Sequence, residues 1–203
     1  MPIKNLILAI ALGTAMAVGI WTALSLVPEP ATPETATVLP AAGPVPSFTL
    51  LDQNGSTVDE SVFKGQWDVV FFGFAHCPDV CPITLGVLAA ANRELGGLGE
   101  TAPRIVLVSV DPERDTPESL KQYMASFGEG NLGLTGDIDQ IRTLTDGLGV
   151  FFEKRDADEQ GYYVVDHSSV VIVIDPEGRF HAIFSSPHQI KNFVRDLPIL
   201  MSS

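Results

Sequence analysis

"WDVVFFGFAHCPDVCPITL", residues 67–85, holds both cysteines of the 203-residue chain, Cys77 and Cys81, each followed by a proline. Its first half is an almost unbroken apolar run, the pattern of a strand buried on both faces. Its second half opens a helix, because Pro78 fits a first turn, where its missing N–H costs nothing. Pro82 is harder to place inside a regular helix, so the first turn is predicted to be irregular. In a roughly helical backbone, positions i and i+4 share a face with Cβ atoms about 5–6 Å apart. The two sulfurs could then meet one ion or bond to each other. The positive end of the helix lowers a thiol pKa and favours thiolate for either purpose.

Working outward, further apolar, β-branched or aromatic runs stand at 48–52, 104–110, 150–154, 162–166, 169–175 and 179–184. Those at 105–110 and 170–174 are again nearly continuous hydrophobics, predicting buried strands. Helix signals lie between them. Thr116 caps a helix with Pro117 at its first position and Gly128 as its stop, and Asp137 caps a second with Ile138, Ile141, Leu144 and Leu148 in helical register. Ser186 and Pro187 repeat the start signal for a last helix, and Asp175–Gly178 reads as a type I turn closing a hairpin. This order predicts an α/β fold, a mixed central sheet flanked by helices of the thioredoxin-like sandwich type. There the chemistry sits after the first long central strand, where Cys77 and Cys81 fall.

The N-terminus is of a different kind. Leu6 to Val27 is a 22-residue stretch without charge or proline, preceded by Lys4, and no basic residue follows until Lys64. At about 1.5 Å per residue it is long enough to span a bilayer core. The charge bias keeps the N-terminus inside and sends the rest outward. A cleaved signal peptide with its site in "TAMA", 14–17, is the alternative, but apolarity continues ten residues past that site. Residues 28–47 carry six prolines, two glutamates and no basic residue. That composition predicts an extended tether. The expected organisation is therefore a membrane anchor at 1–27, a Pro-rich tether at 28–47 and one domain at 48–203. With no Arg-rich presequence, the expected place is a bacterial inner membrane, single-pass, with the C-terminal domain in the periplasm. The net charge of −13 argues against nucleic acid as a partner.

Four uses of the cysteine pair can be weighed. An inert disulfide would close a short loop and stabilise little. A peroxidatic thiol of the Pro-x-x-x-Thr-x-x-Cys type would need proline and threonine where, counting back from Cys77, Val70 and Phe74 stand. A dithiol couple normally has two residues between its cysteines and a proline facing them. Here the spacer has three residues, and 157–175 contains no proline. His167 stands near the expected proline, just before the buried strand at 170–174. Two thiolates and one imidazole form a soft three-ligand set suited to Cu(I), and a further oxygen or nitrogen ligand would admit Cu(II). Structural zinc wants four protein ligands, and no third cysteine exists.

The exported region carries "FTLLDQNGSTV", "FFGFAHCPDVCPITL", "VSVDPERDTPESLKQY", "GLTG" and "YYVVDHSSVVIVIDPEGRF". In these stretches it resembles the Sco/SenC family of thioredoxin-like copper-binding proteins, which help to assemble cytochrome c oxidase. The resemblance implies copper held by Cys77, Cys81 and His167, received from a copper donor protein. It implies delivery to the binuclear copper site of oxidase subunit II or a similar acceptor, or reduction of that site's cysteines. The competing reading is an envelope thiol–disulfide oxidoreductase with Cys77 and Cys81 as its redox-active pair. A non-catalytic adaptor has little to support it.

Other residues are secondary candidates. His76 adjoins Cys77 and could ligate an oxidised metal, although neighbouring side chains point apart. Asp79 lies in the helix's first turn, where an acid suits the dipole. Asp111 either approaches the site as an outer acid or simply starts a turn with Pro112. Asp166 either orients the imidazole or faces solvent. His181 and His188 are expected at the surface.

Overall fold

The computed structural model describes residues 2–25 and 31–202. The chain divides into two units, Met1–Thr32 and Pro33–Ser203. The first contains α1 (Ile3–Ser25), whose segment Ile3–Thr22, with a mean hydropathy of 1.9, is long and apolar enough to cross a membrane.

The second unit runs β1 (Ala36–Pro44), β2 (Leu50–Asp52), β3 (Thr57–Val58), β4 (Asp68–Gly73), α2 (Val80–Gly97), β5 (Arg104–Ser109), α3 (Pro117–Ala125) and β6 (Leu132–Thr135). It continues through α4 (Ile138–Leu148), β7 (Phe152–Lys154), β8 (Val165–His167), β9 (Val171–Ile174), β10 (Arg179–Phe184) and α5 (Ile190–Met201). Eight strands form one mixed sheet in the order β1-β10-β9-β4-β5-β6-β2-β3. The centre, β4–β5–β6, is parallel, and β9 joins β4 antiparallel. Every residue of β4, β6 and β9 is buried, so the continuous apolar runs read as strands covered on both faces. Their side chains make the core together with Leu85, Leu88 and Leu95 of α2 and Phe193 of α5.

The start signals at Thr116 and Asp137 act as written, while α3 ends at Ala125, ahead of Gly128. Thr116 accepts from the Ser119 N–H with Pro117 at the helix start, and Asp137 accepts from the N–H groups of Asp139 and Gln140. Gly149 ends α4 at φ +69°, a left-handed value that glycine takes without a Cβ clash.

Three expectations need correction. The extended tether over 28–47 ends early, because Ala36–Pro44 is strand β1, paired with β10. Residues 28–30 lie outside the described ones. A proline-rich strand is tolerable because β1 is the sheet edge and its register shifts between Val38 and Gly43. Its start is fixed by the buried carboxylate of Asp196 on α5, which accepts the N–H of Glu34 (3.2 Å), Thr35 (2.7 Å) and Ala36 (2.9 Å). The last helix starts at Ile190 rather than after Ser186, because His188 is held in the preceding turn. Its Nε2 donates to the Ser169 carbonyl at 2.6 Å and its ring packs on Phe193. His181 likewise is not free on the surface but meets Trp67 edge-on at 5.3 Å. The runs at 150–154 and 162–166 supply strands outside the main sheet. They form a separate two-stranded hairpin, β7–β8.

Candidate metal centre

β4 ends at Gly73, and the chain turns so that the Cys77 N–H reaches the Phe74 carbonyl at 3.2 Å. The helix begins only at Val80. Cys77 therefore precedes α2 instead of sharing a helical face with Cys81, and Pro82 falls in the first turn, where no N–H is needed. The irregularity falls just before it, at Asp79, whose φ −138° and ψ −86° are neither helical nor extended. Cys81 is fully buried against the strand end. A Cβ on Gly73 would lie 2.9 Å from its Sγ and 2.8 Å from Phe71 Cε1, so the missing side chain makes the sulfur's seat.

His167 closes β8, opposite Phe152 of β7. Its Nε2 lies 3.4 Å from Cys81 Sγ, and the ligand atoms of Cys77, Cys81 and His167 all fall within 4.8 Å of one another. Its Nδ1 lies 3.0 Å from the Ser168 carbonyl. A carbonyl only accepts, so Nδ1 carries the proton and the Nε2 lone pair faces the sulfurs. Phe71 and Phe74 meet the ring edge-on at 5.6 and 5.9 Å. Burial in this apolar seat holds the imidazole below its ordinary pKa, against the opposing pull of the Ser168 carbonyl and Asp166. The ring is thus neutral near pH 7, the form that can ligate.

The Cys81 thiol departs from expectation. Burial, and then its neighbour Cys77, push its pKa well up despite the helix N-terminus. Such a thiol yields its proton when a cation replaces it. The resulting donor set, two sulfurs and one neutral imidazole, is soft and three-coordinate. It opens onto a shallow depression of about 370 Å³, walled by Pro78, Val80, Val164 and Val165.

The other candidates do not join the three. The half-exposed His76 ring lies 3.0 Å from the buried Asp115 carboxylate through Nδ1. Asp79 is exposed beside the depression and makes no side-chain cap hydrogen bond. Asp111 is buried, accepting from the Tyr163 hydroxyl at 2.8 Å and from Arg114. Asp166 pairs with Arg155, leaving the orientation of the imidazole to the Ser168 carbonyl. Sequence reasoning passed over Gly73, Arg114, Asp115 and Tyr163. The signal for two of them was present in "DPERD", a dense run of charges directly after a buried strand.

The family model described as SCO1/SenC matches residues 38–202. Among curated relatives, the mitochondrial protein SCO2 homolog of Bos taurus is 38% identical over 154 residues, which is 73% of this chain and 57% of the bovine one. The chain therefore spans little more than half of that relative's length. Among solved structures, Arabidopsis thaliana ScoI with copper bound matches with a TM-score of 0.73 and 31% identity, over 78% of this chain and 98% of the other. Bradyrhizobium japonicum ScoI with copper bound gives 0.67 and 34%, over 76% and 98%.

Proposed function

The chain belongs to the SCO1/SenC family, and from that premise we propose that it is a membrane-tethered copper carrier serving cytochrome c oxidase assembly. Copper is its cargo, held by Cys77, Cys81 and His167. The observation that carries this reading is the convergence of two sulfurs and the lone pair of a neutral imidazole within 4.8 Å. Its support from relatives is that the plant and bacterial ScoI structures, alike in fold, hold copper.

Both thiols lose their protons as the cargo enters, and the Ser168 carbonyl keeps the proton of His167 on Nδ1 throughout. A three-ligand site under a shallow depression leaves one side open. An incoming thiolate or imidazole can bind there before the carrier's own ligands let go. The acceptor in this reading is the binuclear copper site of oxidase subunit II, and a separate protein supplies the ion. Residues 1–27 anchor the chain in a bacterial inner membrane and a short tether holds the domain in the periplasm. His76, Asp79 and Asp111 shape the surroundings without ligating.

Adjacent free thiols also favour a second reading, a thiol–disulfide oxidoreductase in which Cys77 attacks and Cys81 resolves. His167→Ala separates the two. Copper analysis of the full chain, reduced and anaerobic, should find one ion per chain and a marked loss of affinity in the variant. Unchanged copper affinity with thiol exchange intact would favour the oxidoreductase.

A further inference from the structure

Residues 111–115, the loop that follows β5, touch both halves of the metal centre. On the cysteine side, the fully buried Asp115 accepts the Ala75 N–H at 2.8 Å, the Ser109 hydroxyl at 2.7 Å and the His76 Nδ1–H at 3.0 Å. These bonds clamp the turn that presents Cys77. On the histidine side, the Arg114 guanidinium lies over the Tyr163 ring at 3.8 Å and donates Nη1 to the Tyr163 carbonyl at 3.1 Å. Its Nε pairs with Asp111, which also accepts the Tyr163 hydroxyl at 2.8 Å. Tyr163 lies just before β8, the strand that ends in His167. The same guanidinium stands 5.5 Å from the centre of the Phe74 ring, one of the two rings that meet the imidazole edge-on.

The hairpin has need of such a clamp, because β7–β8 shares no ladder with the eight-stranded sheet. We infer that the loop Asp111–Asp115 is the bracket that sets the distance between the sulfur pair and the imidazole, with Arg114 the positioning residue for the histidine half and Asp115 for the cysteine half. Arginine is required at 114 because one side chain must stack on a ring and also direct separate N–H groups at a carboxylate and a carbonyl. A lysine ammonium has neither the plane nor the fork. The inference rests on the ligand assignment above only for its consequence in copper affinity; the clamping itself belongs to the metal-free chain.

The test is amide hydrogen exchange on the full chain in detergent without metal, followed by copper competition. Arg114→Ala should speed exchange at Val165–His167 by about ten-fold or more, the change expected from losing a hydrogen bond to a charged group, and leave α2 unchanged. Arg114→Lys, the variant to use if alanine fails to fold, should do the same. Asp115→Asn should instead speed exchange at Ala75–Cys77. Arg114→Ala should weaken copper binding by about 10–100-fold, the usual cost of losing an outer partner. Combined with His167→Ala it should add nothing, because both changes remove the same ligand. Unchanged exchange in the hairpin of the Arg114 variants, or fully additive copper losses, would overturn the inference. If His167→Ala itself left copper binding intact, the ligand assignment would fail, and hairpin exchange would still decide for or against the bracket.

Discussion

The two halves of the candidate metal centre are built differently. The cysteine half belongs to the core: Cys81 is fully buried, its sulfur rests against the end of the central strand β4, and its helix packs on that sheet. The histidine half sits on a two-stranded hairpin outside the main sheet, anchored by the buried Phe152 and Val165 together with stacked cations, an exposed Lys154–Glu113 pair and the Asp111–Arg114–Tyr163 contacts. Surface ion pairs contribute little to stability, whereas buried packing contributes much. One half is therefore tied in by strand ladders and helix packing, the other by a few buried side chains and polar contacts. In the carrier proposed above, that asymmetry would let the thiols retain the cargo while the imidazole opens or closes the third position.

The largest effect is expected in the cysteine half. Cys81→Ala removes a ligand while filling most of its seat. It should abolish stoichiometric copper binding, read by metal analysis after gel filtration, with the fold intact by circular dichroism. His167→Ala comes next. It should reduce affinity by at least the ~10–100-fold typical of outer-partner losses, measured by chelator competition, yet leave both thiols able to retain some copper. Equal losses from the two variants would break the comparison.

Stability should divide along the same line. Gly73→Ala drives a Cβ into Cys81 Sγ and Phe71, and should cost about 1–3 kcal/mol in denaturant unfolding, the usual range for overpacking a core. Lys154→Ala removes a half-exposed pair with Glu113 and a stack on Tyr163 at 4.1 Å, and should lower the melting temperature only slightly.

A site distant from both halves supplies the control. Asp196 is pushed up by burial but pulled down further by Arg195, the Thr35 hydroxyl and the N–H groups of Ala36 and Thr35, so it stays well below the usual carboxylate range. Its folded pKa is depressed. Its contribution is thus complete above the ordinary value of 3.8 and is lost as pH falls below that toward the folded value. Asp196→Asn should flatten the acid limb of the stability curve below about pH 4. It should also loosen β1, with copper stoichiometry unchanged.

How much of this was legible in the sequence follows the same division. The buried strands β4, β5 and β9 announced themselves by unbroken apolar runs, and Thr116 and Asp137 by their capping positions. The thiol pair and His167 could be placed on one edge, because strand order fixes where β4 ends and β9 begins. What stayed hidden depends on partners distant in the chain. Composition makes 28–47 look like a tether, and only Asp196 on α5 shows why Ala36 begins a strand. Helix-dipole reasoning favoured a low thiol pKa, and the depth of Cys81, with Cys77 beside it, reverses it. Asp115 reads as one acid among many until folding brings Ala75, His76 and Ser109 around it.

X-ray absorption at the copper edge of the reduced, copper-loaded full chain probes the joined halves most directly. Two sulfur scatterers and one imidazole nitrogen are expected, with the nitrogen signal lost in His167→Ala. A sulfur-only spectrum in the wild-type chain, identical in the variant, would contradict the joint site.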